Sequence, residues 1–253
     1  MHRYFLLLCL SLSTLAATPD PMLVTQAANQ RVLVERLARN AAWRWLMPTQ
    51  AEAAASRQAS QQFEHQLATL NQASRNDAAL AENYQLLSQQ WQDFQPLLKP
   101  ITKPEQARQM LEASEEMAWI AQKGSQQLEA QYSKAQRPVR LAEDIAALSQ
   151  RLAKIYLLRS AGLTLPFLAK DLASARNEFD TAMRELHTLP NQSPSLQAQL
   201  QLVSTQWLFF QQAIDELAKR NTDPQLQRNV YTTSERIYEV ASELAQRYQH
   251  AGN

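Results

Sequence analysis

The sequence predicts an all-α protein made of two tandem antiparallel four-helix bundle units, eight helices in all. Three observations carry that expectation. Only three glycines occur in 253 residues, and Ala, Leu, Gln, Glu and Arg dominate, a composition that favours helix almost everywhere. Prolines 48, 100, 104, 138, 166, 190, 194 and 224 fall between periodic segments, where proline ends one helix or opens the next. Bulky positions also recur at fixed distance. Arg36-Leu37-Ala38 returns as Arg151-Leu152-Ala153, an offset of 115. Phe63, Leu67 and Leu70 return as Phe179, Met183 and Leu186, an offset of 116. Gln90, Trp91, Phe94 and Tyr132 return 116 residues later as Gln206, Trp207, Phe210 and Tyr248. A duplicated unit keeps its packing positions first, and this period is too long for a solenoid repeat.

The helices follow in order. The first, 21–47, ends before Pro48, and the second, 50–72, carries Phe63, Leu67 and Leu70. The third, 77–99, spaces Leu80, Tyr84, Leu87, Trp91 and Phe94 by three or four residues, the period of one helix face. The fourth, 104–135, opens with Thr102 as a capping residue ahead of Pro104–Glu105. The fifth, 138–162, places Leu141, Ile145, Leu148, Leu152 and Ile155 on a single stripe. The sixth, 166–188, and the seventh, 194–220, repeat the aromatic positions of the second and third. The eighth, 224–250, opens after Thr222–Asp223, so the two cap signals stand 120 residues apart. The extra four residues are about one helical turn, which a loop absorbs. Short loops make neighbouring helices antiparallel. The units are expected at 18–136 and 137–253.

Residues 1–17 read as a secretory signal peptide. His2 and Arg3 give a positive start, Tyr4–Leu12 an apolar run, and Ser13, Thr14, Ala16 and Ala17 a small-residue exit. The run is too short for a membrane anchor, which needs roughly 20 residues, and no small residue precedes Cys9 as a lipoprotein site requires. Cleavage after Ala16 or Ala17 leaves a chain without cysteine, held by its hydrophobic core alone. It also removes Arg3 from 25 bases, which then equal the 24 acids. The expectation is a soluble periplasmic protein. A neutral chain without a basic face does not bind nucleic acid.

No enzyme chemistry is legible. The chain has no Cys-x-x-Cys-His for haem. Neither His65 nor His187 has a glutamate three residues before it, as di-iron bundles require. Both read as surface or half-buried polar residues, and no nucleophile elbow occurs. No cofactor and no metal site are expected. Trp43, Trp45, Trp91, Trp119, Trp207, Phe209 and Phe210 read as core packing, as do Met110 and Met117.

Arg31 stands apart. On the first helix it falls beside Ala27, Val34 and Ala38, a face that other helices approach closely. A guanidinium desolvated there calls for an anion. The alternative is a ladder along the helix, with Glu35 pairing both Arg31 and Arg39 at a spacing of four.

The stretch Arg31-Val-Leu-Val-Glu-Arg36-Leu37 and its second-copy counterpart Leu148-Ser-Gln-Arg151-Leu-Ala-Lys154 resemble the first helix of the PilJ-type domain. That domain is the N-terminal sensor of type IV pili chemotaxis transducers and is related to NarX-type nitrate-sensing domains. The Phe-Leu-Leu and Leu-to-Trp spacings look like the family's, once per copy. The resemblance implies a sensory function in chemotaxis or signal transduction, with candidate ligand-binding residues Arg31, Arg36 and Arg151. The first arginine of the motif would hold a small anion, nitrate or nitrite, between two copies of the first helix. In the second copy Ala146 stands at that position, and the family's glycine falls on Ala28 and Glu143. A site between the internal copies therefore lacks its second guanidinium, and a site shared across a homodimer stays open. The family's transducers continue into a membrane helix and a signalling domain; up to Asn253 no such segment is read, so signalling is expected to pass to a membrane chemoreceptor or sensor kinase. A ligand-free module docking on pilin or another envelope protein is the second reading, marked by an exposed apolar patch.

Overall fold

The computed structural model describes residues 21–48, 51–131, 136–190, 192–218 and 223–251. The expected signal peptide at 1–17, Thr222 and the expected end of the fourth helix at 135 lie outside these residues. Among the described residues there are eight α-helices: α1 (Pro21–Leu46), α2 (Ala51–Ala73), α3 (Ala78–Phe94), α4 (Pro104–Glu129), α5 (Arg137–Ser160), α6 (Leu168–His187), α7 (Pro194–Ala218) and α8 (Pro224–Ala251). There is no strand among them. No helix among the described residues is long and apolar enough to cross a membrane.

Local chemistry sets the boundaries. Asp77 opens α3 by accepting from Ala79 N and Leu80 N at 3.0 and 3.1 Å. Its counterpart Ser193 accepts from Leu196 N at 3.3 Å to open α7. Asp223 opens α8 by accepting from Gln225 N at 2.8 Å. At α4 the expected Thr102 is not the capping residue. Lys103 holds that position, and Gln106 reaches back to accept from Lys103 N at 3.1 Å and Thr102 N at 2.9 Å. α3 stops at Phe94, earlier than the periodicity suggests, because Pro96 tightens the chain into a 3-10 turn over Gln95–Leu98. α5 ends at Ser160, and two residues on comes Gly162, whose φ of +91° is open to glycine without strain. Gly162 N donates to Arg159 O and Leu163 N to Leu158 O, both at 3.0 Å, which closes the last turn as a Schellman motif.

Each set of four helices packs by the same rule. α1 lies against α2 and α4, and α3 against α4; α5 lies against α6 and α8, and α7 against α8. The aromatic centre is duplicated in detail. Trp91 packs on Phe63 with ring centroids 4.5 Å apart, and its Nε1 donates to Glu64 at 3.1 Å. Trp207 packs on Phe179 at 4.1 Å, and its Nε1 donates to Asp180 at 2.7 Å. Trp43, Phe210, Met110 and Met117 are buried as expected. Trp119 and Phe209 are not, at 61% and 60% exposed; each sits on the outer face of its helix, and Lys123 covers the Trp119 ring from 5.6 Å.

The two sets form one body rather than two bundles end to end, because α1 and α5 make the most extensive contact between any two helices. Side chains that meet across them, Asn29 with Glu143 and Glu35 with Lys154, advance together along both helices, so the pair runs parallel. α5 is therefore not a one-stripe helix. From Leu141 to Leu158 every residue except Asp144 and Arg151 is buried, and on α1 the same holds from Ala27 to Trp43 except for Arg36. Small alanines on the remaining faces admit the extra neighbours, α8 and α6 on α5 and α4 and α2 on α1.

Candidate functional site

Burying α1 and α5 on all sides takes their polar residues out of water, so each needs a partner. The buried charges find theirs in the opposite unit. Arg36 and Arg39 of α1 both pair with Glu235 of α8, Arg39 at 2.7 Å, and Arg39 Nη1 donates to Ser234 Oγ at 3.2 Å. Arg151 and Lys154 of α5 both pair with Glu115 of α4 at 2.7 and 2.8 Å, and Lys154 Nζ donates to Ser114 Oγ at 3.0 Å. The bases are related by the 115-residue offset, and Ser114-Glu115 by the 120-residue offset to Ser234-Glu235. The crossed pairs thus obey the duplication.

Lys154 has a further contact. Its Nζ lies 2.7 Å from Glu35 Oε2, with both side chains fully enclosed. Glu35 thus turns across to α5 instead of joining Arg31 and Arg39 in a ladder along α1, because α1 has no solvated face on which a ladder could lie. Burial, joined by the charge of Glu115, raises the Glu35 pKa against the pull of Lys154 and Arg151. Burial pushes Glu115 upward too, but Lys154 and Arg151 outweigh it and hold that carboxyl at about 2.

Of the three candidate arginines, then, Arg36 and Arg151 are committed to Glu235 and Glu115, in symmetry-related but separate clusters. The Arg36 guanidinium also lies 4.6 Å from the Tyr238 ring centroid. Arg31 is placed differently. Its side chain is only 7% exposed, and Nη1 donates to Asp144 Oδ1 of α5 at 3.3 Å. Arg140, one turn before Asp144, pairs with the same carboxylate and with Glu129 of α4. Burial raises the Asp144 pKa, with Glu178 adding to the rise and Arg31 and Arg140 opposing it. Beside it Glu143 is buried with Asn29 Nδ2 as its donor at 3.3 Å, and burial pushes its pKa up to about 8. Arg31 thus lies at the seam of α4 and α5, beside Gln122, Ser125 and Gln126 of α4 and Arg140 and Asp144 of α5.

Arg31, Arg140 and Asp144 form the floor of an open cleft of about 370 Å³ between α4, α5 and α6. Leu141, Leu148 and Ala182 give it an apolar wall, and Glu178 and Glu185 of α6 stand on the rim. Its size lies within the range of about 300–1,000 Å³ usual for small-molecule sites. The sequence pointed to Arg31 but not to Asp144, Glu143, Lys154 or Glu178. Lys154 and Glu143 lie on the face of α5 opposite the Leu141–Ile155 stripe, where charges ordinarily meet solvent, whereas Ser114-Glu115 with Ser234-Glu235 were visible as a repeat at the offset of the helix caps. His65 and His187 are exposed as expected. Among the described residues no group of three or more His, Cys, Asp or Glu side chains is arranged to hold a metal ion. Compared with protein-family models, with curated proteins and with solved structures, the chain finds no match.

Proposed function

We propose that this protein is an exported, non-catalytic sensory or adaptor module. It takes up a small charged ligand in the α4–α5–α6 cleft and passes the signal to a membrane chemoreceptor or kinase. One observation carries the reading: Arg31, the first arginine of the PilJ-like motif, lies at 7% side-chain exposure on the cleft floor and bonds Asp144 of the other unit. A ligand that engages Arg31 must alter a contact between the two units, which is what a sensor requires. A screen of small charged solutes by thermal shift, nitrate and nitrite among them, tests this. The expected result is a rise in Tm that disappears in Arg31→Ala. No shift with any solute overturns the reading.

A second reading, a docking module for an envelope protein such as pilin, draws support from α7. Leu208 and Phe209 stand 66% and 60% exposed beside a groove lined by Leu226 and Val230 of α8. The first copy carries exposed Gln92 and Asp93 at the equivalent positions, so the apolar pair belongs to one unit alone. Pull-down from envelope extract with wild type and with a Leu208→Ser, Phe209→Ser double variant tests it. A protein retained by wild type and lost by the variant supports docking; identical retention argues against it.

A further inference from the structure

We infer that the cleft ligand is a zwitterion carrying both an ammonium and a carboxylate, as a free α-amino acid does. The inference rests on the sensory reading of the same cleft and adds the chemistry of what it binds.

The two units supply an internal comparison. Asp144 of α5 corresponds to Asn29 of α1 at the 115-residue offset, and Glu178 of α6 to Gln62 of α2 at the 116-residue offset. In the first unit these are two amides, and Gln62 Nε2 donates to Asn29 Oδ1 at 3.3 Å, tying α2 to α1. In the second unit they are two carboxylates, which have no proton to share when ionised. Glu178 instead lies close enough to raise the Asp144 pKa. Among the described residues its hydrogen-bond partner is Ser174 Oγ at 3.0 Å, a neighbour on its own helix. A bond between helices in one copy is thus a repulsion across the cleft in the other. An ammonium between the two carboxylates removes that repulsion.

The floor asks for the opposite charge. Among the described residues Arg31 makes a single hydrogen bond, to Asp144 at 3.3 Å, although a guanidinium carries five N–H donors. The rest of its fork is left to a carboxylate entering the cleft, where bidentate pairing is the favoured geometry. The two copies differ here as well, since Ala146 replaces Arg31 in the second copy. A bare anion such as nitrate satisfies Arg31 but meets the carboxylates of Asp144, Glu178 and Glu185. A bare amine satisfies Glu178 but meets Arg31 and Arg140. A molecule with both charged groups on one carbon satisfies both walls, and Leu141, Leu148 and Ala182 leave an apolar surface for its side chain.

Calorimetric titration of the full chain with the twenty free L-amino acids, and with the N-acetyl and carboxamide derivatives of the tightest binder, tests the inference. The expected result is that the free amino acid binds at least tenfold more tightly than either blocked form. Glu178→Gln, a substitution at an exposed position, is expected to weaken binding of the free amino acid tenfold while tightening that of the N-acetyl form, which then meets one opposing carboxylate fewer. If the N-acetyl derivative or nitrate binds as tightly as the free amino acid, and Arg31→Ala abolishes it, the zwitterion inference falls while the sensory reading stands. If neither these compounds nor any inorganic anion gives heat, both fall.

Discussion

Lys154 of α5 and Glu35 of α1 meet at 2.7 Å with side chains 0% and 1% exposed. An enclosed ion pair gains Coulomb energy only against a large loss of hydration, so its net stabilisation is small, while its disruption is costly. What the pair does supply is register. It joins the central helices of the two units at one place along their length, and the crossed pairs of Glu115 and Glu235 fix the outer helices to the same register.

Lys154→Met leaves Glu35 buried without a cation and removes one partner of Glu115. The expected loss of stability is about 3 kcal/mol. Adding Glu35→Leu to that variant recovers more than half, because two apolar groups then replace the pair. Urea denaturation of wild type, single and double variants measures both steps. A single variant as stable as wild type contradicts the account.

Glu143 gives the protein a pH dependence of definite sign. Its pKa is about 8 in the folded chain against 4.5 for an ordinary glutamate. Between those values the folded state holds a proton that the unfolded state has released. Stability from this group therefore falls as pH rises from about 4.5 to about 8. Glu143→Gln removes the dependence, so the Tm of the variant relative to wild type should climb between pH 5 and pH 9. A difference that stays constant over that range contradicts it.

Gly124 marks a close approach of α4 to α3. A Cβ there would lie 2.4 Å from Asn83 Nδ2 and 3.1 Å from the Tyr84 ring. Asn83 is buried and donates to Ile120 O at 3.1 Å, so it cannot withdraw without losing the partner of a buried amide. Gly124→Ala should destabilise by about 1–3 kcal/mol, despite the higher helix propensity of alanine. Thermal unfolding decides between the two effects.

The duplicated tryptophans allow a paired experiment. Trp91→Phe and Trp207→Phe each delete one indole N–H bond, to Glu64 and to Asp180, and keep the stacked ring. Each should cost about 1 kcal/mol, and the two costs should agree within a few tenths. Chemical denaturation followed by circular dichroism reads both. A large difference between them would show that the two aromatic centres do not carry equal loads.

Most of the fold was legible because its signals are local. Proline positions bound the helices, and the offsets of 115, 116 and 120 residues identify the repeated core. Among the buried charges, local reading failed where a distant residue was responsible. The stripe on α5 was correctly placed, but α1 covers another face of that helix, so alanines there serve as contact surface. Arg31 was singled out because small residues surround it, yet its partner Asp144 lies 113 positions away. The spacing of Glu35 to Arg31 and Arg39 suggested a ladder, which solvated helices form; enclosure turned Glu35 to Lys154 instead. Trp119 and Phe209 were assigned to the core on residue type, whereas their phase on the helix puts them outside.

Hydrogen exchange on the full chain, with and without a saturating amount of the strongest solute from the thermal-shift screen, probes the coupling between cleft and units. Binding at Arg31 and Glu178 should increase protection of the α1 amides around Arg31, the α5 amides around Asp144 and the α6 amides around Glu178 together, because one ligand would then bridge all three helices. Protection confined to α7 and α8, or no change along α1 and α5, contradicts the assignment of this cleft as the sensory site.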